Sequence, residues 1–345
     1  MTAAGHPSPA GTPGRPIHVH HSLGDTDVNN LLRLLGRRLI ALPFMAFGVT
    51  LLVYFLMSFS QYDPAVAALG ENATPEALAA YRHEMGFDRP WWEQFFSYLG
   101  GLLHGDLGVY GVNKDSVGAR IADAFPITLQ LTFIGLLIAV VLAVIFGVLA
   151  ALYRDTWVDQ AIRVVSIIAI ATPSFWLGVL LIYLLQIQLS WLPGAGELPA
   201  FTQDPTGYLA RMAMPSFALG LPVAGSLTRI IRTSMVEELD KDYVRTAIGA
   251  GVPKRVVVAR NVFRNALITP VTVLGMKIGY LMGGAIVIEV IFSLPGMGTA
   301  MFDGINNNQP MLVQGVVLVV ALAFMVVNVI VDLLYVLINP RIRTV

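Results

Sequence analysis

Long apolar runs dominate the chain and alternate with short polar stretches. Six runs are long and apolar enough to cross a bilayer: residues 38–60, 126–153, 162–189, 214–236, 266–292 and 311–338. A hydrocarbon core of about 30 Å needs about 20 helical residues. Lipid offers no partner to a lone backbone N–H or C=O, so each run is expected to be helical. Barrel strands would alternate over about ten residues, and these runs do not. Pro43, Pro173, Pro222 and Pro270 interrupt four of the runs, which membrane helices tolerate and which marks places of bending. A signal-peptide reading of the first run fails on its 37-residue leader and on Ser58-Phe59-Ser60-Gln61, which is no small-residue cleavage site.

The polar stretches carry their own signals. Residues 1–37 form a leader rich in Pro, Gly, Ala and His up to about residue 30; no pattern there could bury a core, so disorder is expected. His18, His20 and His21 suggest either a metal chelate or, more simply, a solvated tail. Residues 61–125 are long for a bare loop. Thr74-Pro75-Glu76 is a helix start and predicts a helix through Met85. Trp91, Trp92, Phe95, Phe96 and Tyr98 follow as a cluster suited to a membrane–water interface. A small outer subdomain on the bilayer surface is the expectation.

The stretch 237–265 is the longest inner connection. Asp242 to Ala250 suits a short helix of about 13 Å, with Gly251 placed for a left-handed cap and Pro253 blocking resumption. A second, amphipathic helix over 254–264 would lead into the fifth span. A short, firmly ended helix with small residues Thr246, Ala247 and Ala250 could seat in a cleft of another protein or lie along lipid headgroups. The residue pattern leaves both open.

Composition agrees with the runs. Hydrophobic residues make up 56% and charged residues 13%, against about 45–50% and 25% in soluble domains. An ordinary soluble enzyme is excluded, and the absence of cysteine excludes disulfides, thiolate metal sites and a cysteine nucleophile. The net charge of zero hides a division. Sixteen basic residues fall in the leader, the second-to-third and fourth-to-fifth connections and the C-terminus, and five on the opposite side. Basic residues mark the cytoplasmic face, so both termini are expected inside. No overall basic excess points to nucleic acid. Lys277 stands alone within the fifth run, 11 residues from its start. A charge there must face a cavity or a partner, either lining a path and meeting a substrate carboxylate or pairing with a neighbouring acid or carbonyl. Glu289 and Asp332 suit structural hydrogen bonds.

Enzyme motifs are missing. His83-Glu84 is followed by Met85-Gly86-Phe87, so no His-Glu-x-x-His occurs, and there is no Gly-x-Ser-x-Gly or Gly-x-x-x-x-Gly-Lys loop. No catalytic or metal residues are assigned. An ATP-independent secondary transporter would want more intramembrane acids or an inverted repeat.

Asp242-Tyr243-Val244-Arg245-Thr246-Ala247 followed by Gly251 resembles the loop motif of ABC importer permeases, in particular the oligopeptide/dipeptide (and nickel) family. Further matching strings are Gly101-Leu102-Leu103-His104-Gly105-Asp106-Leu107-Gly108, Arg264-Asn265-Ala266-Leu267-Ile268, Phe292-Ser293-Leu294-Pro295-Gly296-Met297-Gly298, Val331-Asp332-Leu333-Leu334-Tyr335 and Asn339-Pro340-Arg341-Ile342-Arg343. The resemblance implies an all-α, six-transmembrane-helix type I ABC importer permease over 38–345, with a small extracytoplasmic subdomain (61–125) between the first two spans and a cytoplasmic coupling loop (237–265). It implies a second homologous permease, two cytoplasmic ATPases that hold ATP and magnesium, and an external substrate-binding protein, with no cofactor in this chain. Peptides are the implied cargo, with nickel complexes, glutathione or oligosaccharides as alternatives. Carried onto this chain, the ATPase-docking residues are Asp242, Tyr243, Arg245, Thr246, Ala247 and Gly251. The chain departs from its relatives in having Ile248, Gly249 and Ala250 where basic residues are frequent.

Overall fold

The computed structural model describes residues 25–59, 63–70, 72–194 and 196–338. Helix α1 (Asp25–Ser58) begins at Asp25 rather than at residue 38. Leu31, Leu32, Leu34 and Leu35 are good helix formers, and no proline intervenes before Pro43 to stop the turn from propagating backwards. The leader is therefore helical from residue 25; the expected disorder of residues 1–24 and the three histidines lie outside the described residues.

Between the first two long helices lie α2 (Pro64–Leu69), α3 (Pro75–Met85), α4 (Trp91–Leu103) and a two-stranded antiparallel hairpin, β1 (Val109–Tyr110) and β2 (Asp115–Ser116). Helix α3 follows its start signal: Thr74 Oγ1 accepts the Ala77 N–H at 3.3 Å, Pro75 stands in the first turn, and Gly86 closes the helix in the left-handed region. The aromatic cluster on α4 divides. Phe95 and Tyr98 are buried, with Phe95 edge-on to Phe47 and Tyr54 of α1 at 5.8 and 5.5 Å, while Trp91, Trp92 and Phe96 stay exposed.

Helix α5 (Val117–Leu152) starts earlier than residue 126, because Ser116 Oγ caps it by accepting the Ala119 N–H at 3.3 Å. At 36 residues it is about 54 Å long and exceeds the bilayer core. The third expected span, 162–189, is not one straight helix. Helices α6 (Trp157–Ala171) and α7 (Ser174–Leu181), the latter continued by a π-helical segment over Ile182–Gln188, meet at 100°. Pro173 pushes Thr172 out of the helical region, to φ −82° and ψ 117°, and lacks the N–H that would carry the ladder on.

Helix α8 (Pro205–Leu239) is the centre of the core and packs along α5. The two backbones touch where side chains are missing: a Cβ on Gly220 would lie 2.4 Å from the Gly135 carbonyl oxygen. Small residues permit such approach, which lipid-embedded helices need because lipid removes most of the hydrophobic drive to associate. Beyond α8 come α9 (Asp242–Gly249), α10 (Lys254–Val257), a π-helical turn over Val258–Val262, α11 (Phe263–Ala266) and α12 (Ile268–Phe292). The second amphipathic helix expected over 254–264 is thus interrupted by a π bulge.

A short helix that the apolar pattern did not announce, α13 (Met297–Asn306), precedes α14 (Pro310–Ile338). Its start is held by two contacts. The Gly298 N–H donates to Glu289 Oε2 at 2.6 Å and the Met297 N–H to Thr128 Oγ1 at 2.9 Å. Glu289 thus has the structural role its place suggested, whereas the Asp332 side chain lies outside the described residues. A second apolar cluster joins Val117, Ile121 and Ala124 of α5 to Met297, Ala300, Leu312 and Val316. Among the described residues, five helices are long and apolar enough to cross a membrane, within α1, α5, α8, α12 and α14, and the α6–α7 pair makes a sixth if counted as one passage. The fold is that of an all-α integral membrane protein.

Candidate coupling site

The last turn of α8 contains Glu237 and Glu238, with Asp240 just beyond. Acids at a helix C-terminus oppose the macrodipole, so they require donors nearby. Glu238, only 6% exposed, has three. Tyr243 Oη donates to its Oε1 at 2.9 Å, Asn265 Nδ2 to the same oxygen at 3.1 Å, and Lys241 Nζ reaches Oε2. One carboxylate therefore ties the end of α8 to the start of α9 and to α11, leaving only its fourth lone-pair site unassigned. Burial first, then donation to the Glu238 carboxylate, pushes the Tyr243 phenol above its usual pKa.

Helix α9 is seated by one face. Val244 is 3% exposed within the main core, and Tyr243 and Ala247 pack against that core. Asp242, Arg245, Thr246 and Ile248 point the other way and are exposed. Asp242 sits in the first turn, where the helix dipole favours an acid, with Arg245 Nη1 at 3.8 Å. Thr246 Oγ1 donates back to the Asp242 carbonyl at 3.0 Å.

The helix ends in a Schellman arrangement. The Gly251 N–H donates to the Ile248 carbonyl at 3.0 Å and the Val252 N–H to the Ala247 carbonyl at 3.1 Å. Gly251 has φ +86°, a conformation that glycine adopts without penalty, and a Cβ there would meet nothing within 4 Å. The demand for glycine is conformational. Ile248, Val252 and Val256 remain exposed around this end, forming an apolar tip between charged neighbours.

A second buttress stands behind the loop. Arg232 of α8 forks onto the fully buried Asp159 of α6, Nε to Oδ1 and Nη2 to Oδ2, both at 2.6 Å. The Asp155 N–H also donates to Asp159, at 3.1 Å, and Arg163 lies 3.5 Å away. Arg154 bridges to Asp240 at 2.8 Å. The α5–α6 turn is thereby fastened to the end of α8, at the root of the 237–265 loop.

The structure brings Asp242, Tyr243, Arg245, Thr246, Ala247 and Gly251 together on one short element. Lys277 is elsewhere, on α12. It is partly buried, its Nζ lies 5.8 Å from the centre of the Tyr280 ring, and it has no ion pair or hydrogen bond among the described residues. Sequence reasoning did not single out Glu238 or Asn265 as site residues. The readable signal was an acid in the last turn of a long apolar helix, five residues before a tyrosine.

Apolar helices long enough to cross a membrane several times, with one polar helical elbow anchored on a buried carboxylate, define a multi-pass membrane protein. The family model described as "Binding-protein-dependent transport system inner membrane component" matches residues 143–344, and that of the N-terminal membrane component of such systems matches residues 31–132. The chain is 37% identical over 303 residues to a Brucella abortus (strain 2308) protein whose name gives it as a peptide transport system permease protein, covering 88% of this chain and 96% of that one. It is 34% identical over 313 residues to the glutathione transport system permease protein GsiC of Escherichia coli (strain K12), covering 91% and 99%. The chain belongs to the family of inner membrane components of binding-protein-dependent transport systems. Membership implies a binding protein and ATPase subunits as partners.

Proposed function

We propose that this chain is a permease subunit of an ATP-driven importer of short peptides, and that α9 is the element through which it couples to an ATPase. The observation that carries the coupling role is the anchorage of α9. Val244 is buried, Glu238 holds both ends of the elbow, and the opposite face is free to meet a partner. Asp242, Arg245 and Thr246 would supply polar contacts on the ATPase, and Ile248 with Val252 the apolar insertion. Tyr243, Ala247 and Gly251 act from within, the first two by seating the helix and the last by ending it.

In this reading the loop and both termini are cytoplasmic, and residues 61–125 form a subdomain on the outer face. A second, homologous permease completes the path, two ATPases hold ATP and magnesium, and an external binding protein delivers the peptide. The chain itself has no catalytic residues. Closure of the ATPase pair would draw the coupling helices together and tilt the spans outward, a population shift that requires the partner to bind one state better than the other. Lys277 lines the path and meets a substrate carboxylate. Glutathione, itself a tripeptide, is the second reading, favoured by the similarity to GsiC.

The test is reconstitution of the chain with its co-purified ATPases and second permease, followed by ATP-driven uptake of radiolabelled trialanine, with glutathione as competitor. Arg245→Glu is expected to reduce both uptake and uptake-coupled ATP hydrolysis by about tenfold or more, as loss of one central interface contact does. Uptake that proceeds without ATPase subunits would overturn the reading. Unchanged uptake of every peptide by Lys277→Met would remove Lys277 from the path.

A further inference from the structure

The α13–α14 corner contains a run of four amides, Asn306-Asn307-Asn308-Gln309, that the coupling role does not use. The corner is another Schellman closure. The Asn308 N–H donates to the Ile305 carbonyl at 3.2 Å, the Gln309 N–H to the Gly304 carbonyl at 2.7 Å, and Asn308 takes the left-handed conformation at φ +50°. The backbone of the run is satisfied, yet the side chains of Asn306, Asn308 and Gln309 have no hydrogen bond among the described residues.

These side chains line a cavity of about 760 Å³ between the corner, α1 and the start of α4. That volume is within the range of small-ligand sites, about 300–1,000 Å³. Gln314 of α14 also lines it. Gln314 is 6% exposed, its Oε1 has no partner, and a buried amide left unpaired is costly. The opposite wall is built firmly. Gln94 Nε2 donates to the Arg89 carbonyl at 2.7 Å and to the Phe87 carbonyl at 3.2 Å, while Tyr54 Oη donates to Gln94 Oε1 at 3.1 Å. Arg89 is held at the rim by this arrangement. Among the described residues it is the sole charged one lining the cavity, and it makes no ion pair with any of them. The remaining lining is largely apolar, with Phe87, Trp91 and Met311 among it.

The chemistry of these groups is selective. Amide side chains each offer a donor and an acceptor, the pair that a peptide unit presents in reverse. A lone guanidinium fork accepts a carboxylate and repels an ammonium group. We infer that this cavity receives the C-terminal end of a short peptide. Arg89 takes the free carboxylate, the corner amides and Gln314 meet the backbone, and the aromatic and methionine walls take side chains. The inference rests on the proposed peptide import and on the outward placement of residues 61–125. It adds a receiving site contained within this one subunit, away from the central α5–α8 pair.

The test uses the full assembled transporter in lipid nanodiscs and trialanine carrying a benzophenone on its amino terminus. Photolabelling is expected within residues 54–94 or 304–314. Trialanine should displace the probe, and trialanine amide should do so at least about tenfold more weakly, since a charge-assisted bond is lost. Arg89→Gln should weaken labelling by about tenfold to a hundredfold, and Arg89→Lys should retain part of it. Labelling confined to other residues, equal competition by the amide or by maltotriose, or an unaffected Arg89→Gln variant would each overturn the site. Uptake of trialanine measured in parallel separates the two levels. Uptake with an unlabelled cavity removes the site alone, whereas absence of both removes the peptide reading with it.

Discussion

Two single carboxylates decide the local order of the 237–265 and 61–125 stretches. Glu238 accepts from three side chains at once, so a change that keeps its shape but removes its charge should loosen all three contacts. Glu238→Gln is expected to lower thermal stability by about 1.5–3 kcal/mol, the range for a hydrogen bond to a charged group. Uptake should fall further than assembly with the ATPases does, which co-purification alongside transport would read. Asp63 plays a comparable part in the 61–125 segment. Its Oδ1 caps α2 by accepting the Ala65 N–H at 2.9 Å, and Arg82 Nε donates to Oδ2 at 2.8 Å. Donation from Arg82 holds the Asp63 carboxyl below its usual value against the opposing effect of burial. An unfolded Asp titrates near about 3.9. The stability that Asp63 contributes is therefore full above that pH and is lost as pH falls through the lower folded value. Melting of wild type and Asp63→Asn should differ by a constant amount near neutrality and converge in acid. Tyr243 was legible from the loop motif, but its partner was not, because pairing across a chain reversal depends on the angle between α8 and α9.

At the scale of elements, packing and helix ends account for most of what the chain does. The boundaries of α3 and α9 could be read directly, since Thr74 acts through a hydroxyl that reaches three residues on, and Pro75, Gly251 and Pro253 act through their own backbones. Pro173 could be read as a place of bending, but the 100° angle between α6 and α7 could not. Proline at position 222 lies inside a continuous α8, whereas Pro173 ends a helix, and only the surrounding packing separates the two outcomes. The crossing of α5 and α8 is the contact with least room. Gly220→Ala would place a methyl 2.4 Å from the Gly135 carbonyl oxygen, and neither backbone can yield locally. A loss of about 1–3 kcal/mol is expected from overpacking, visible as a lower melting point in detergent. Gly249→Ala is the contrasting case. A Cβ there meets nothing within 4 Å, so helix propensity alone predicts a gain of about 1 kcal/mol in α9.

Across the whole molecule, the pair Arg232–Asp159 joins the bent α6–α7 unit to the central helix, one to two turns before α8 ends and leads into α9. Removing one partner of a buried ion pair strands the other, so Asp159→Ala should destabilise the protein by about 3–5 kcal/mol. Thermal melting of the purified chain would show it, and Arg232→Met paired with Asp159→Leu should recover much of the loss. The membrane class, the apolar helices and the short capped helix over 242–249 followed from the sequence by itself. These depend on hydropathy summed over about 20 residues and on backbone preferences at caps, which are properties of neighbours along the chain. The 100° size of the bend at Pro173, the helix α13, the Glu238 anchorage and the amide-lined cavity were decided only by the tertiary structure. Each depends on residues far apart in the chain meeting at hydrogen-bond or van der Waals distance, and no local pattern encodes where those meetings occur.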